Sequence, residues 1–150
     1  MTRQDYIILL VSVSAMLVYF LLATPVMMDD GFHYEGFTEA LAHGKLDFKS
    51  FYGFQGLSIL SVLIYWLTGS HISIIITSAI LYLLSLPLAY LIGKDFYSDK
   101  RAGLPAEASA KAGLYFMVLI LLMPYVYTTM MRGFQEAALL FFILLIIYES

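Results

Sequence analysis

The sequence predicts an all-α, polytopic membrane protein with two interfacial helices in its first outer loop. Hydrophobic residues make up 61% of the chain and charged residues only 13%, whereas a soluble domain carries about 25% charged residues. The charges also cluster between long uncharged runs. The absence of cysteine excludes disulfides and thiolate chemistry. A net charge of −3 provides no basic surface for nucleic acid.

The first predicted span covers 6–28, which contains no charged side chain. At about 1.5 Å per residue, a helix of this length crosses a hydrocarbon core of roughly 30 Å with some tilt. A cleavable signal peptide is the competing interpretation. Its apolar stretch is usually only about 7–15 residues long, and Ala23-Thr24-Pro25 is a poor cleavage site. The pattern therefore favours an uncleaved span.

A helix is predicted at 31–43, directly after this span. The apolar residues Phe32, Phe37, Ala40 and Leu41 are assigned to one side of this helix, and the polar residues Glu35, Thr38, Glu39 and His43 to the other. Gly44 suits the position that ends a helix. We expect this helix to lie in the membrane interface.

A second interfacial helix is predicted at 54–67, which is uncharged but too short to cross a bilayer. Ser58, Ser61 and Tyr65 fall at helical steps and form a polar stripe. The neighbouring Trp66 completes an aromatic pair of the kind that favours headgroup depth. These features favour a helix lying in the membrane surface over one crossing it.

Further spans are predicted at 72–92, with Pro87 in its interior, and at 112–131. A fourth begins within 134–150 but is too short to cross the bilayer before the sequence stops. We therefore expect a single transmembrane domain, of which this chain is the N-terminal part or one half of a split protein. A short docking helix at 134–150 is the alternative.

Basic residues suggest an orientation, because cytoplasmic loops carry an excess of Lys and Arg. With the N-terminus inside, the loop 93–111 is cytoplasmic and the loop 29–71 is on the outer side. If 54–67 crosses the membrane instead, the inverted orientation satisfies the same rule. Charge alone therefore leaves the orientation open.

Ionisable side chains directly follow two predicted spans. Asp29, Asp30 and His33 follow the first, and Arg132 and Glu136 follow the third. Carboxylates beside apolar surface are poorly hydrated, which makes them candidates for a general base or a metal anchor. The alternatives are a solvated boundary or helix cap for the acidic pair, and a self-neutralising ion pair for Arg132 and Glu136.

The order of these features resembles the N-terminal module of the GT-C superfamily, the membrane glycosyltransferases that use polyprenyl-phosphate sugars. The resemblance covers essentially the whole chain and selects the orientation with a cytoplasmic N-terminus in the cell's inner membrane. It matches an acidic motif, an aromatic juxtamembrane helix, a second surface helix, a basic cytoplasmic turn and a proline that ends a span. In this chain these are Asp29-Asp30, 32–45, 54–67, 91–103 and Pro124.

The resemblance implies transfer of a sugar from a polyprenyl-phosphate donor on the outer or lumenal face, by a single inverting displacement. It implies that Asp29 is the general base and that His33 and Tyr34 shape the pocket. It also implies that Arg132 or a divalent cation, Mg or Mn, neutralises the leaving phosphate. The implied catalytic residues are Asp29 and Asp30, the substrate-binding residues are His33, Tyr34, Arg132 and Glu136, and the metal ligands are Asp29, Asp30 and Glu136.

The expected partners are the lipid-linked sugar, membrane lipid, and the remaining transmembrane helices of a full-length enzyme or a partner subunit. Activity of this stretch alone is not expected. The alternative function is a non-catalytic polytopic accessory or assembly protein, in which the same charges are solvated boundaries pointing in different directions. A transporter ranks last, because the sequence has no internal inverted repeat.

Overall fold

The computed structural model describes residues 30–45, 56–98, 106–122 and 135–150, together with scattered positions from Tyr6 to Leu21. All the described scattered positions are helical, and the part of the chain described contains no strand, which confirms the all-α class for these residues. Its five helices are α1 (Asp30–Ala42), α2 (Gly56–Thr68), α3 (Ser73–Ser98), α4 (Ala106–Leu121) and α5 (Glu136–Glu149).

The C-terminus of α1 is capped by the predicted glycine, two residues after Ala42. Gly44 has a left-handed backbone with φ of 73°. Its N–H donates to the carbonyl of Leu41 (2.9 Å), and the N–H of Lys45 donates to the carbonyl of Ala40 (2.8 Å). These two bonds form a Schellman motif, in which glycine adopts the left-handed conformation without steric cost. The predicted role of Gly44 is confirmed.

The helix α3 is the central element, because α1, α2, α4 and α5 all pack against it. Its segment Ser73–Phe96 has a mean hydropathy of 2.1 and is, among the described residues, the one helix long and apolar enough to cross a membrane. It covers all but the first residue of the predicted span 72–92 and continues to Ser98, with Pro87 in its interior. The fold is therefore organised around one long apolar helix.

The helix α4 runs antiparallel to α3. Near the turn that joins them, the hydroxyl of Ser109 donates to the carbonyl of Lys94 (2.7 Å). Further along, the hydroxyl of the fully buried Tyr82 donates to the carbonyl of Ile120 (3.0 Å). The two bonds fix the register of the pair.

The two antiparallel helices approach most closely at a pair of glycines. A Cβ added to Gly113 would lie 2.5 Å from the carbonyl oxygen of Tyr90, and one added to Gly93 would lie 3.0 Å from the Cα of Gly113. Small residues at a helix contact let the backbones come together and increase van der Waals contact. No larger side chain fits here without separating the helices.

The helices α1 and α2 lie side by side and run in the same direction. Near their starts, the hydroxyl of Ser58 donates to the carbonyl of Tyr34 (2.9 Å). Near their ends, the indole N–H of Trp66 donates to the carbonyl of Ala42 (3.2 Å). Each bond joins residues 24 positions apart in sequence. Because the separation is the same at both ends, the two helices run parallel.

The predicted division of α1 into an apolar and a polar side is found only in part. Phe37 is buried and His43 is exposed, as that division predicts, but three other residues are reversed. Glu35 is only 4% exposed and Thr38 is fully buried, whereas Phe32 is 63% exposed. The reason is that neighbouring helices supply hydrogen-bond partners for the polar side, which satisfies the buried polar groups. Glu35 and Thr38 therefore face protein.

The polar stripe predicted on α2 is also turned inward. Ser58 and Ser61 are fully buried, whereas Ile59, Leu63 and Leu67 are exposed. The serine hydroxyls bond to backbone carbonyls instead of facing headgroups or water. The surface that α2 presents outward is therefore apolar.

Replacement of Gly113 by alanine is expected to lower the free energy of unfolding by about 1–3 kcal/mol, since the new Cβ would overlap the Tyr90 carbonyl. Gly36→Ala in α1 is the matched control, because its Cβ would meet nothing within 4 Å. Alanine also favours a helix interior by about 0.8–1.0 kcal/mol over glycine. Denaturant unfolding followed by circular dichroism measures both variants. Equal effects of the two substitutions would contradict the close helix approach.

The variant Ser58→Ala is expected to lower the free energy of unfolding by about 0.5–1.5 kcal/mol, because it removes a hydrogen bond between α1 and α2. Ser61→Ala is the control on the same helix. The Ser61 hydroxyl donates to the carbonyl of Leu57 within α2 (2.8 Å), so its loss removes no contact between helices. The same unfolding measurement compares the two, and a cost for Ser61→Ala as large as for Ser58→Ala would argue against the predicted docking role.

Candidate functional site

The predicted site residues are only partly within the described residues. Asp29 and Arg132 lie outside them. Asp30 begins α1, but only its backbone is described. His33, Tyr34 and Glu136 are described in full. The convergence of Asp29 and Glu136 on one cleft therefore stays a prediction.

His33 and Tyr34 are adjacent in α1 but lie in opposite surroundings. His33 is exposed. Tyr34 is buried and belongs to the hydrophobic core. Its carbonyl accepts hydrogen bonds from Ser58 on α2 (2.9 Å) and from Thr38 on α1 (2.8 Å). Only His33 of this pair presents its side chain to a ligand from solution.

Glu136 is the first residue of α5 and is half-buried. A carboxylate in the first turn of a helix interacts favourably with the positive end of the helix dipole. Gln135 precedes it, with no hydrogen bond from its own side chain to the helix N-terminus. The helix α5 packs against α3, so Glu136 is carried on an element that contacts the central helix.

Glu35 is a buried acidic residue at the junction of α1 and α3 that the sequence analysis did not assign to the site. The hydroxyl of Ser73 donates to its two carboxyl oxygens at 3.0 and 3.2 Å. The backbone N–H of Ile74 donates to one of them at 3.2 Å. Ser73 begins α3. The carboxyl group therefore occupies a helix N-terminus, where N–H groups lack partners within the helix and the dipole attracts negative charge.

The pKa of Glu35 is raised above the usual glutamate value. Burial is the largest cause, because it disfavours the charged form, and the nearby charge of Glu39 acts in the same direction. The hydrogen bonds from Ser73 and Ile74 and the proximity of His71 oppose the rise but do not cancel it. Glu35 in this position therefore binds a proton more readily than a glutamate in water.

Two adjoining hollows lie along α1 beside this carboxyl group. Their volumes, about 470 Å³ and about 300 Å³, fall at the lower end of the range for small-molecule sites. Gly36 and Glu39 line both hollows, which together are called the groove. The larger is lined by Phe32, Glu35, Gly36, Glu39, His71 and Ile72. The smaller is lined by Gly36, Glu39, Ala40, His43 and Lys45. The groove thus combines an apolar wall with carboxylate, imidazole and ammonium groups.

The acidic residues predicted as metal ligands have a donor chemistry that suits Mg or Mn, since both prefer carboxylate oxygens. Of Asp29, Asp30 and Glu136, only the last has a described side chain. Within the described ranges, no three His, Asp or Glu side chains are grouped to hold a metal ion. The divalent cation therefore stays a prediction.

The role of Glu35 was missed because its partners are distant in sequence. Ser73 follows it by 38 positions, and helical spacing within α1 carries no information about α3. One signal was available: the helix predicted after residue 71 needs acceptors for its first N–H groups. A glutamate next to Tyr34 in an aromatic stretch was a candidate for that acceptor.

No protein-family model, curated protein or solved structure matches the chain in comparisons of its sequence and structure.

Proposed function

We propose that the chain is the N-terminal membrane module of a GT-C-type glycosyltransferase that transfers a sugar from a polyprenyl phosphate on the outer or lumenal face. The observation that most supports this proposal is the hydrogen bonding of Glu35 on α1 to the N-terminus of α3, the helix that is long and apolar enough to cross a membrane. The helix α1 begins at Asp30. Asp30 precedes Glu35 by less than two helical turns, about 7.5 Å along the axis. The docking thus ties the acidic start of α1 to one end of α3.

The distribution of side chains on α3 supports insertion in a membrane. Ser78 and Ser85 are fully buried, whereas Ile80 and Leu84 are exposed. Soluble monomers rarely expose large contiguous apolar surface. Helices in lipid place small residues such as serine at helix contacts and apolar residues outward. The arrangement therefore favours lipid around α3.

The outward side of α2 supports a position at the membrane surface. Ile59, Leu63 and Leu67 are exposed along it, with the exposed Trp66 near the end of the helix. Tryptophan is enriched at headgroup depth. With Ser58 and Ser61 buried, the apolar side of α2 is available to lipid.

Because α4 runs antiparallel to α3, its course supports the proposal that the segment after it returns to the end of α3 where Glu35 is bound. Ile120 lies beside Tyr82, and from there α4 points toward the end of α3 that begins with Ser73. Arg132 and Glu136 follow α4 in the chain. We place them, in this proposal, on the same face as Asp29.

In the proposed reaction, an acceptor nucleophile attacks the anomeric carbon of the donor sugar while Asp29 takes its proton. The bond between that carbon and the phosphate oxygen breaks, and polyprenyl phosphate leaves with the electron pair. Arg132 stabilises the charge that develops on the leaving phosphate. A bound Mg or Mn ion would supply further positive charge there. Direct displacement inverts the configuration at the anomeric carbon.

Single cysteines at Ser50 and Ser98 test the orientation, because the chain contains no other cysteine. An impermeant thiol reagent added to intact cells is expected to label Ser50→Cys. It should label Ser98→Cys only after the membrane is permeabilised, since that residue ends α3 on the cytoplasmic side in the proposed topology. The reverse labelling pattern would overturn both the orientation and the proposed outer site.

Asp29→Asn is expected to lower the transfer rate by about 10²–10⁴, the contribution typical of a positioned general base. Asp30→Asn should also lower it, as expected for the second residue of the acidic motif. Asp95→Asn is the control, since it makes the same charge change at an exposed position near the other end of α3 and should leave the rate unchanged.

The measurement is the release of free polyprenyl phosphate from a panel of polyprenyl-phosphate hexoses in proteoliposomes supplied with a panel of hydroxyl acceptors, using the complete protein with any partner subunit. Equal rates for Asp29→Asn and Asp95→Asn would contradict a catalytic role for Asp29. If the unsubstituted protein releases no polyprenyl phosphate from any donor, the accessory or assembly function replaces the enzymatic one.

A further inference from the structure

Glu35 links α1 to α3 through hydrogen bonds, although an apolar side chain would be enough for two helices to pack. Glu35 is 4% exposed and spans from the second turn of α1 to the first residues of α3. It accepts hydrogen bonds from both a side chain and a backbone group there, at 3.0 to 3.2 Å. An apolar residue at position 35 would leave the Ile74 N–H without this acceptor.

We propose that Glu35 is a positioning residue, a latch that docks α1 on the N-terminus of α3 and thereby sets the position of the start of α1, which carries Asp30 and directly follows Asp29 in the chain. The latch fixes the rotation of α1 about its axis. Tyr34 and Phe37 are buried on the docked side, while Phe32 and Gly36 remain exposed. The positioning role rests on the proposed function, whereas the docking itself does not.

The latch also has a defined dependence on pH. The titratable groups that act on Glu35 are Glu39 on α1, His71 before α3 and Tyr65 on α2. Because the pKa of docked Glu35 is raised, chiefly by burial, the docked arrangement binds a proton more tightly than an undocked one. Docking is therefore strongest below the pKa of an exposed glutamate and weakens as the pH rises through the pKa of docked Glu35.

Paired nitroxide labels at Phe32→Cys and Ile72→Cys in the full chain measure the docking directly. The background contains no cysteine, and both positions line the larger hollow, one on α1 and the other immediately before α3. Dipolar broadening between the labels should be strong at low pH and decrease as the pH rises. The labels are attached before the titration, so the pH of the thiol reaction has no influence.

Variants at position 35 separate the latch from general packing. Glu35→Gln keeps an acceptor for Ile74 but cannot ionise, so broadening should stay strong at every pH. Glu35→Ala should lose broadening at every pH, and Ser73→Ala should lose part of it. Glu39→Gln is the matched control in the same groove. It should keep the pH dependence, with a midpoint at lower pH because a charge that raises the pKa of Glu35 is removed.

Equal broadening in Glu35→Ala and the unsubstituted chain across the pH range would overturn the latch. A Glu35→Gln chain that follows the pH dependence of the parent would do the same, and this variant carries the test if Glu35→Ala fails to fold.

The transfer assay then tests the positioning role separately. Glu35→Ala should lower kcat by about 10- to 100-fold with little change in KM, because a small displacement of a catalytic group has effects of this size, and Glu35→Gln should restore it. Lost docking with an unchanged kcat would overturn the positioning role. Absence of transfer by the unsubstituted protein would overturn the proposed function alone, and the spin-label result would still decide the latch.

Discussion

The N-terminus of α3 is the constraint on which the position of α1 depends. The first N–H groups of any helix lack partners within it, and the apolar character of α3 limits the solvation that water would otherwise provide. Ser73 bonds back to the carbonyl of Ser70 (3.1 Å), and Ile74 bonds to Glu35 on α1 (3.2 Å). Once α1 is fixed in this way, the bond from Ser58 to Tyr34 fixes α2 beside it.

Glu35 specifies this geometry at a cost in stability. Burial of an ionised carboxylate is unfavourable unless hydrogen bonds offset the lost hydration. Ser73 and Ile74 offset part of it, and the raised pKa shows that the compensation is incomplete. An uncharged residue of similar shape would satisfy stability better, but it would lose the dependence of docking on protonation. The carboxyl group therefore makes the position of α1 responsive to its surroundings, which a purely apolar contact would not.

The sequence predicted a helix overlapping each of the five helices α1 to α5, because uncharged runs and glycine punctuation are local signals. Gly44 shows this most clearly, since its left-handed backbone depends only on the chain beside it. The orientation of α1 could not be predicted in the same way. Helical periodicity shows that Glu35 and Thr38 share a side, but whether that side meets water or protein is decided by residues of α2 and α3 that are far away in sequence. The sequence predicted an acidic residue at the start of α1, where the structure has Asp30, but the catalytic role of the acidic pair stays a prediction. The burial of Glu35 was missed for the same reason as the orientation of α1.

The parallel pair of α1 and α2 offers a physical reason for placing a lipid-phosphate reaction at this end of α3. A polyprenyl phosphate keeps its isoprenoid chain in hydrocarbon while its phosphate and sugar lie at headgroup depth. In the proposed reaction, a protein that acts on it presents apolar surface to the isoprenoid chain and places its catalytic carboxylate at the same boundary. In the proposed topology α2 turns its exposed leucine and isoleucine side chains to the lipid, while α1 begins with an aspartate and is held against the end of a membrane-capable helix.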